Sequence, residues 1–489
     1  MVAVHVGTSR VRVAALDGGG GLTDVAVRPL ASTRPRPGWV EQDPEAVASA
    51  VAEAMAELAG RVGGPAAAVG LATPRGAVLA WDALDGRPRG PLVAGTDRRS
   101  APRCRRLVDA GHGPRLEALT GLVVDPTAAG PRLGWLLAEG GVVADRGLAL
   151  GTLDTWLLGR LGVGARTTDA GQAATTLLAD LDAGAWSPEL GELLGVPVAA
   201  LAEIGPTRGR RATLDTPWGR APVSALAGDG RATLWCVAGA EPGVVSLTLG
   251  ATGAVLAGTG ATRPPAGRGL LATLAWDLGP GGGAEGPRGR GYALEGPGLA
   301  AGAALDWLVD LGLATSPAEV LELAAATPGT DGAVVVPPAA GLTGPWWDPG
   351  ARGAMVGLGP GVGRARLARA TIEAVAHQVR DVLDAAAAAS PVPLGEVRVS
   401  GALAASQLVL DLVADQAGRS LYRAATPEPA AAGIGWLAGW AEGLWDGDAP
   451  GRWWRADREA HPGERRSGPE ARHARWRRGL ERSRGWGRP

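Results

Sequence analysis

The sequence predicts an α/β protein of two related domains facing each other across a cleft. Three observations predict it. The chain has 489 residues, a length that favours two domains over one. One hairpin pattern occurs twice, at Val2–Leu16 and at Val245–Gly258: an apolar strand, a Gly/Thr turn and a second apolar strand. Between and after these hairpins, apolar residues recur at helical spacing, and Val397–Gly418 reads as strand, small-residue turn and helix.

The elements follow in order. Val2–Leu16 is a period-two hairpin around Gly7-Thr8-Ser9, with His5 at the last inward-looking position before the turn. Asp43-Pro44 suits an N-cap and first helical position, opening a helix over Pro44–Leu58. AAAVGLATP reads as a strand, Ala101–Leu119 and Pro131–Glu139 as helices, and Gly151–Gly162 as a helix ended by glycine. An apolar run ends at Asp229, between two glycines. A domain boundary falls near Glu241, dividing the chain into 1–240 and 241–489. GYALEGPGLAAGAALDWLVDLG reads as a loop running into a helix. The Pro/Gly/Trp-rich loop GLTGPWWDPGARGAMVGL and a helix over Gly363–Ala389 follow. The Arg- and Trp-rich end, Gly451–Pro489, reads as a surface helix with a few Trp packed down, in preference to an anion-binding tail.

Composition excludes several classes. Hydrophobic residues are 46%, charged residues 20% and the formal net charge is -1, so nothing electrostatic favours nucleic acid or an anionic membrane. No secretory leader and no apolar run long enough for a membrane span is read, which points to the cytoplasm. Cys104 and Cys236 lie outside metal or redox spacing and read as isolated thiols. The chain has no Phe, Lys or Asn, the signature of a GC-rich coding bias. Asp and Glu are plentiful, so that bias does not explain the loss of an acid.

Gly-Thr turns between strands bring backbone N–H groups and a hydroxyl to one point, a cradle for phosphate oxygens. Two such turns predict a nucleotide cleft. Asp229, after a strand, is placed either to accept a proton or bind a metal, or simply to cap a turn.

The segments HVGTSRVR, PGWVEQDPEAV, GTLDTWLLGRLG, TTDAGQAATTLL, AGDGRATLW, YALEGPGLAAGAALDWL, GLTGPWWDPGARG and VRVSGALAASQLVLDLVAD together resemble the FGGY carbohydrate kinases, in family order and over nearly the whole chain. GTLDTWLL and YALEG look most like the glycerol kinase branch. The resemblance implies two ribonuclease-H-like α/β domains, of the actin, heat-shock chaperone and sugar kinase superfamily, around a central cleft. It implies ATP mostly on the second domain, a polyol or sugar mostly on the first, and magnesium between the phosphates and the protein. Asp229 matches the catalytic base and a metal ligand; Arg75 and Thr127 fall at acceptor-binding positions. Thr8, Ser9 and Arg12 match the first phosphate loop, and Gly250, Ala251 and Thr252 the second. Gly302, Asp306, Gly401, Ala402 and Ser406 fall at nucleotide positions. The oligomeric state stays open, a homo-oligomer included.

The departures are local. His5 stands where the family has an Asp that helps hold magnesium, and magnesium favours hard oxygen ligands. Asp17 and Asp169 are candidates for a replacement carboxylate. Gly76, Gly95, Thr127 and Gly230 stand where the glycerol kinase pattern has Glu, Trp, Tyr and Gln. Smaller side chains there predict a larger acceptor pocket, or a pocket no longer under selection. Two functions are weighed: an ATP-dependent polyol or sugar kinase, and a catalytically impaired paralogue that senses a nucleotide or metabolite. GWVEQDP argues against an actin- or chaperone-like ATPase.

Overall fold

The computed structural model describes residues 1–164, 166–279, 289–337, 341–463 and 467–487. Two seven-stranded mixed sheets form its frame. The first contains β1 (Val2–Val6), β2 (Arg10–Leu16), β3 (Leu22–Pro29), β4 (Val69–Thr73), β5 (Gly162–Gly164), β6 (Arg208–Thr216) and β7 (Gly219–Gly228) in the order β3-β2-β1-β4-β7-β6-β5. The second contains β8 (Val245–Leu249), β9 (Thr252–Gly260), β10 (Leu271–Asp277), β11 (Arg290–Ala300), β12 (Val397–Ser400), β13 (Leu421–Ala424) and β14 (Ala456–Ala460) in the order β10-β11-β9-β8-β12-β13-β14. Each sheet starts with antiparallel strands, a meander in the first and the order β8-β9-β11-β10 in the second, and continues with two parallel strands beside its first strand. The repeated hairpin in the sequence is this repeated sheet plan.

The helices follow the apolar pattern. Asp43 caps Pro44–Ala59 by accepting from the Glu45 N–H, and Val47, Val51, Met55 and Leu58 turn inward. That helix and Leu153–Leu161 cover the first sheet, and Arg364–Ala389 and Gln407–Ala417 cover the second. A third core lies between the halves: Trp235 stacks on Trp440 with ring centroids 5.7 Å apart and meets Trp276 edge-on. Helix Pro429–Ala441, late in the chain, packs on β1, β4 and β7 of the first sheet. Among the described residues no helix is long and apolar enough to cross a membrane.

Two expectations are corrected. YALEGPGLA lies in strand β11, with eight of its eleven residues buried. Lying between β9 and β10 and covered on both faces, it has no polar alternation, and Pro297 sits at a register shift. The helix expected over Ala101–Leu119 is two, Ala101–Asp109 and Gly113–Thr120, parted by Gly111 at φ +82°. The C-terminal helix Ser467–Ser483 buries Trp476 and Leu480 against Val334, so the Trp-bearing end is a docked helix; residues 464–466 and 488–489 of that stretch lie outside the described residues.

Candidate active site

β1, β4 and β7 run parallel and adjacent, and their carboxyl ends open into the space between the halves. Ligands of open α/β sheets bind at such ends. His5 is the penultimate residue of β1, Arg75 follows β4, and Asp229 follows β7 as the first residue of helix Asp229–Ala238. Residues more than two hundred positions apart thus stand side by side.

His5 pairs with Arg12 and Ala72 in the sheet and points its Nε2 at Asp229 Oδ2, 4.0 Å away. Its Nδ1 is buried without a partner. Burial, then the charge of Arg12, pushes its pKa down to about 3, so the imidazole is neutral. Asp229 keeps 33% of its side chain exposed and accepts from the Gly230 N–H at 2.7 Å. Burial raises its pKa to about 6 against the opposing pull of that N–H and of Arg231 and Arg75. A carboxylate so tuned is a stronger base than an ordinary one.

Beneath Asp229 lies a buried ion network that the sequence reading missed. Glu295, on β11, stands 3.2 Å from Arg75 Nε through one oxygen and 3.1 Å from Arg231 Nη2 through the other. Arg231 also donates to Leu274 O and Thr273 Oγ1. The two guanidiniums hold the Glu295 carboxyl below its usual range despite burial. The available signal was an acid inside an apolar run and a base inside an apolar helix start, both rare without a partner.

The acceptor side is tighter than its small residues predict, which corrects the larger-pocket expectation at two positions. A Cβ on Gly95 would lie 2.2 Å from Arg75 O, and one on Gly76, at φ +68°, would lie 2.6 Å from Arg132 Nη2 and 2.9 Å from Thr127 O. Backbone and Arg132 occupy that space. Only Gly230 is open: a Cβ there meets just Leu256 Cδ1, at 3.7 Å. Arg132, also missed by the sequence reading, is fully buried and donates to the carbonyls of Gly76, Ala94, Gly95 and Thr127 at 2.7–2.9 Å. It ties three acceptor-side loops into one body. Thr127 is half-buried beside them, its N–H bound to Asp125.

The turns expected to hold phosphates are present on both halves. Gly7 N–H donates to Arg10 O, which leaves Thr8 and Ser9 exposed at the hairpin tip. Arg12 lies behind, paired with Glu428 at 2.8 Å. On the second half, Gly302 N–H and Ala303 N–H donate to the carbonyls of Gly250 and Ala251, which welds the β8–β9 turn to the start of helix Gly302–Asp310. Gly401, at φ +96°, would place a Cβ 2.5 Å from Leu249 C, so that position needs glycine. Gly250, Ala251, Gly302 and Gly401 therefore come together; exposed Thr252 flanks the turn, Ala402 follows Gly401, and Asp306 is exposed one helical turn after Gly302. Ser406 is half-buried at the cap position of helix Gln407–Ala417, its hydroxyl making no cap bond.

Neither candidate replacement carboxylate reaches His5. Asp17 is exposed and closes its own turn through Gly19 and Gly21 N–H. Asp169 is buried, capping Ala170–Ala173 through Gly171 and Gln172 N–H and accepting from Thr207. Among the described residues no three His, Cys, Asp or Glu side chains are grouped to hold a metal.

The family model for the FGGY carbohydrate kinase N-terminal domain matches residues 1–236, and that for the C-terminal domain matches 245–442. The chain belongs to the FGGY family of carbohydrate kinases. The glycerol kinase of Bordetella pertussis is 37% identical over 501 residues, covering 100% of this chain and 98% of that protein. The glycerol kinase of Gloeobacter violaceus is 36% identical over 492 residues, covering 99% and 97%. The solved structure of Plasmodium falciparum glycerol kinase with ADP superposes with a TM-score of 0.87 at 21% identity, covering 99% of this chain and 98% of that one. The xylulose kinase of Lactobacillus acidophilus superposes with a TM-score of 0.84 at 20% identity, covering 99% and 96%. At such identities the structures show the fold, the two-domain sugar kinase architecture. Membership covers both halves of the cleft.

Proposed function

We propose that this FGGY kinase transfers the γ-phosphoryl group of ATP to a hydroxyl of a polyol or sugar, with the acceptor on the side of residues 1–240 and the nucleotide on the side of 241–489. The observation that carries it is Asp229, a carboxylate of raised basicity between Arg75 and the turn-forming strands. Arg75, its guanidinium held by Glu295, donates to the acceptor. Asp229 takes the proton of the attacking hydroxyl. The hydroxyl oxygen bonds to the γ-phosphorus as the bond to the bridging oxygen of the leaving ADP breaks. Backbone N–H groups of the Gly7–Arg10 and Gly250–Thr252 turns, with Thr8, Ser9 and Arg12, hold the phosphates. Gly302, Asp306, Gly401, Ala402 and Ser406 border the rest of the nucleotide. Thr127 borders the acceptor. The enzyme works in the cytoplasm, where ATP is supplied.

Magnesium, which the family resemblance implies, fits this floor poorly. One carboxylate, Asp229, faces one imidazole, His5, and the other nearby acid, Glu295, is committed to two arginines. The sensor alternative draws no support from the relatives, which are glycerol kinases. ADP release from ATP, measured over glycerol, xylitol, erythritol, xylulose, ribulose and gluconate, tests the reading. Turnover that needs an acceptor and disappears in Asp229→Asn is expected; its absence with every acceptor would sink the kinase reading.

A further inference from the structure

The mismatch on the cleft floor has a chemical content of its own. His5 Nε2 and Asp229 Oδ2 face each other across 4.0 Å. Metal bonds of about 2.1 Å at ordinary coordination angles set a nitrogen and an oxygen ligand about 3.0–3.4 Å apart, so closing the gap takes about 0.6–1.0 Å of side-chain movement. Gly7 and Gly230 flank the pair: a Cβ on Gly7 would meet Arg10 O at 3.3 Å and the Arg12 Nη1 at 3.6 Å, while the Gly230 side is open, a Cβ there meeting only Leu256 Cδ1, at 3.7 Å. Each cationic group around the pair has a carboxylate partner, although Arg75 and Arg231 share one and the charge of Arg12 still bears on His5. Arg12 is held by Glu428 at 2.8 Å, and Arg75 and Arg231 share Glu295 at 3.2 and 3.1 Å. A dication entering here meets paired guanidiniums, not free ones. The donor set, one imidazole and one carboxylate, is one that magnesium disfavours and that first-row transition metals accept.

We propose that the cation taken up between His5 and Asp229, with nucleotide phosphate oxygens completing its shell, is a first-row transition-metal dication rather than magnesium. This rests on the reading that a nucleotide occupies the cleft. Two protein ligands make a weak site alone, so uptake is coupled to the nucleotide.

The test uses the full chain with ADP and manganese(II) as probe, read by pulsed electron paramagnetic resonance. The expected result is a histidine ¹⁴N coupling that becomes a ¹⁵N coupling when the histidines are ¹⁵N-labelled and disappears in His5→Asp. His5→Gln, checked for folding by circular dichroism, is a second variant lacking the ring. Absence of histidine nitrogen coupling in the parent protein, or its survival in both variants, overturns the proposal. In competition, His5→Asp should lower the magnesium concentration that displaces half the manganese by at least the roughly tenfold that even an outer-shell change costs a metal site; an unchanged value overturns it. The readout needs no turnover. Nitrogen coupling with no acceptor-dependent ADP release would fail the kinase reading alone, and turnover without the coupling would fail this proposal alone.

Discussion

In the proposed reaction, Asp229 is where a single residue's environment matters most. Its carboxyl must be ionised to accept a proton, and burial lifts its pKa to about 6. The acid limb of kcat/KM for the acceptor should therefore fall away below about pH 6, which a pH–rate profile checks. Asp229→Asn should lower the rate by about 10²–10⁴-fold, the range for losing a positioned base. The stability effect has the opposite sense. The folded protein holds this proton above the ordinary value of 3.8, so between about pH 4 and 6 it binds more protons than the unfolded chain, and the residue's stabilising contribution is lost as pH rises through that window. Asp229→Asn should melt higher than the parent above pH 6, with the gap closing below about pH 4 in paired thermal scans. If Arg75 binds the acceptor as proposed, Glu295 acts through it. Glu295→Gln should raise the acceptor KM about tenfold or more, the cost of loosening a charged bond, while the KM for ATP stays put; equal rises in both would refute a positioning role.

At the scale of elements, the cleft floor depends on how helix Asp229–Ala238 is seated. Helix Pro429–Ala441 crosses it so closely that a Cβ on Gly433 would lie 1.9 Å from Ala232 O. Gly433→Ala must push the helices apart and should cost about 1–3 kcal/mol, the usual penalty of overpacking, measured by denaturant unfolding. It should also lower the rate, because the displaced helix carries Asp229 at its first position. Arg132 does for loops what Gly433 does for helices. Arg132→Met leaves four carbonyls, two buried and two part-buried, without their donor, and should cost more than about 2 kcal/mol and raise the acceptor KM. A variant of parental stability and KM would show that the loops hold without it.

At the scale of the molecule, the halves are joined along one rim and share a core beneath. Gly267 N–H donates to Glu117 Oε1 at 2.9 Å, Ala272 N–H to Gly121 O at 2.9 Å, and Arg290 Nη1 to Asp182 O at 2.8 Å. Arg75 and Glu295 meet across the floor. Under the proposed function, a cleft fixed in this way is expected to close over nucleotide and acceptor, keeping water from the γ-phosphate. Hydrogen exchange should slow with nucleotide at Gly7–Arg10, Gly250–Thr252 and Gly401–Ala405, and with acceptor at Arg75-Gly76 and Asp229-Gly230. Slowing confined to other segments would refute this placement of the ligands.

The sequence by itself determined the plan of the molecule. A hairpin repeated half a chain apart is local patterning, and local patterning survives in one dimension. Asp229 after its strand, the Gly/Thr turns and the motif order were legible for the same reason. What lay outside the sequence was every fact that depends on which distant residues meet. β11 read as a loop because a strand covered on both faces loses its alternation. Glu295 was a letter in a motif until β11 carried it beneath Arg75 and Arg231. Gly76 and Gly95 read as openings, yet the chain had already folded a carbonyl and the Arg132 guanidinium into that space. His5 could be named as a departure from one position alone. Only the packing of three parallel strands put its imidazole 4.0 Å from a carboxylate two hundred residues away, because contact across a sheet is set by tertiary register and not by distance along the chain.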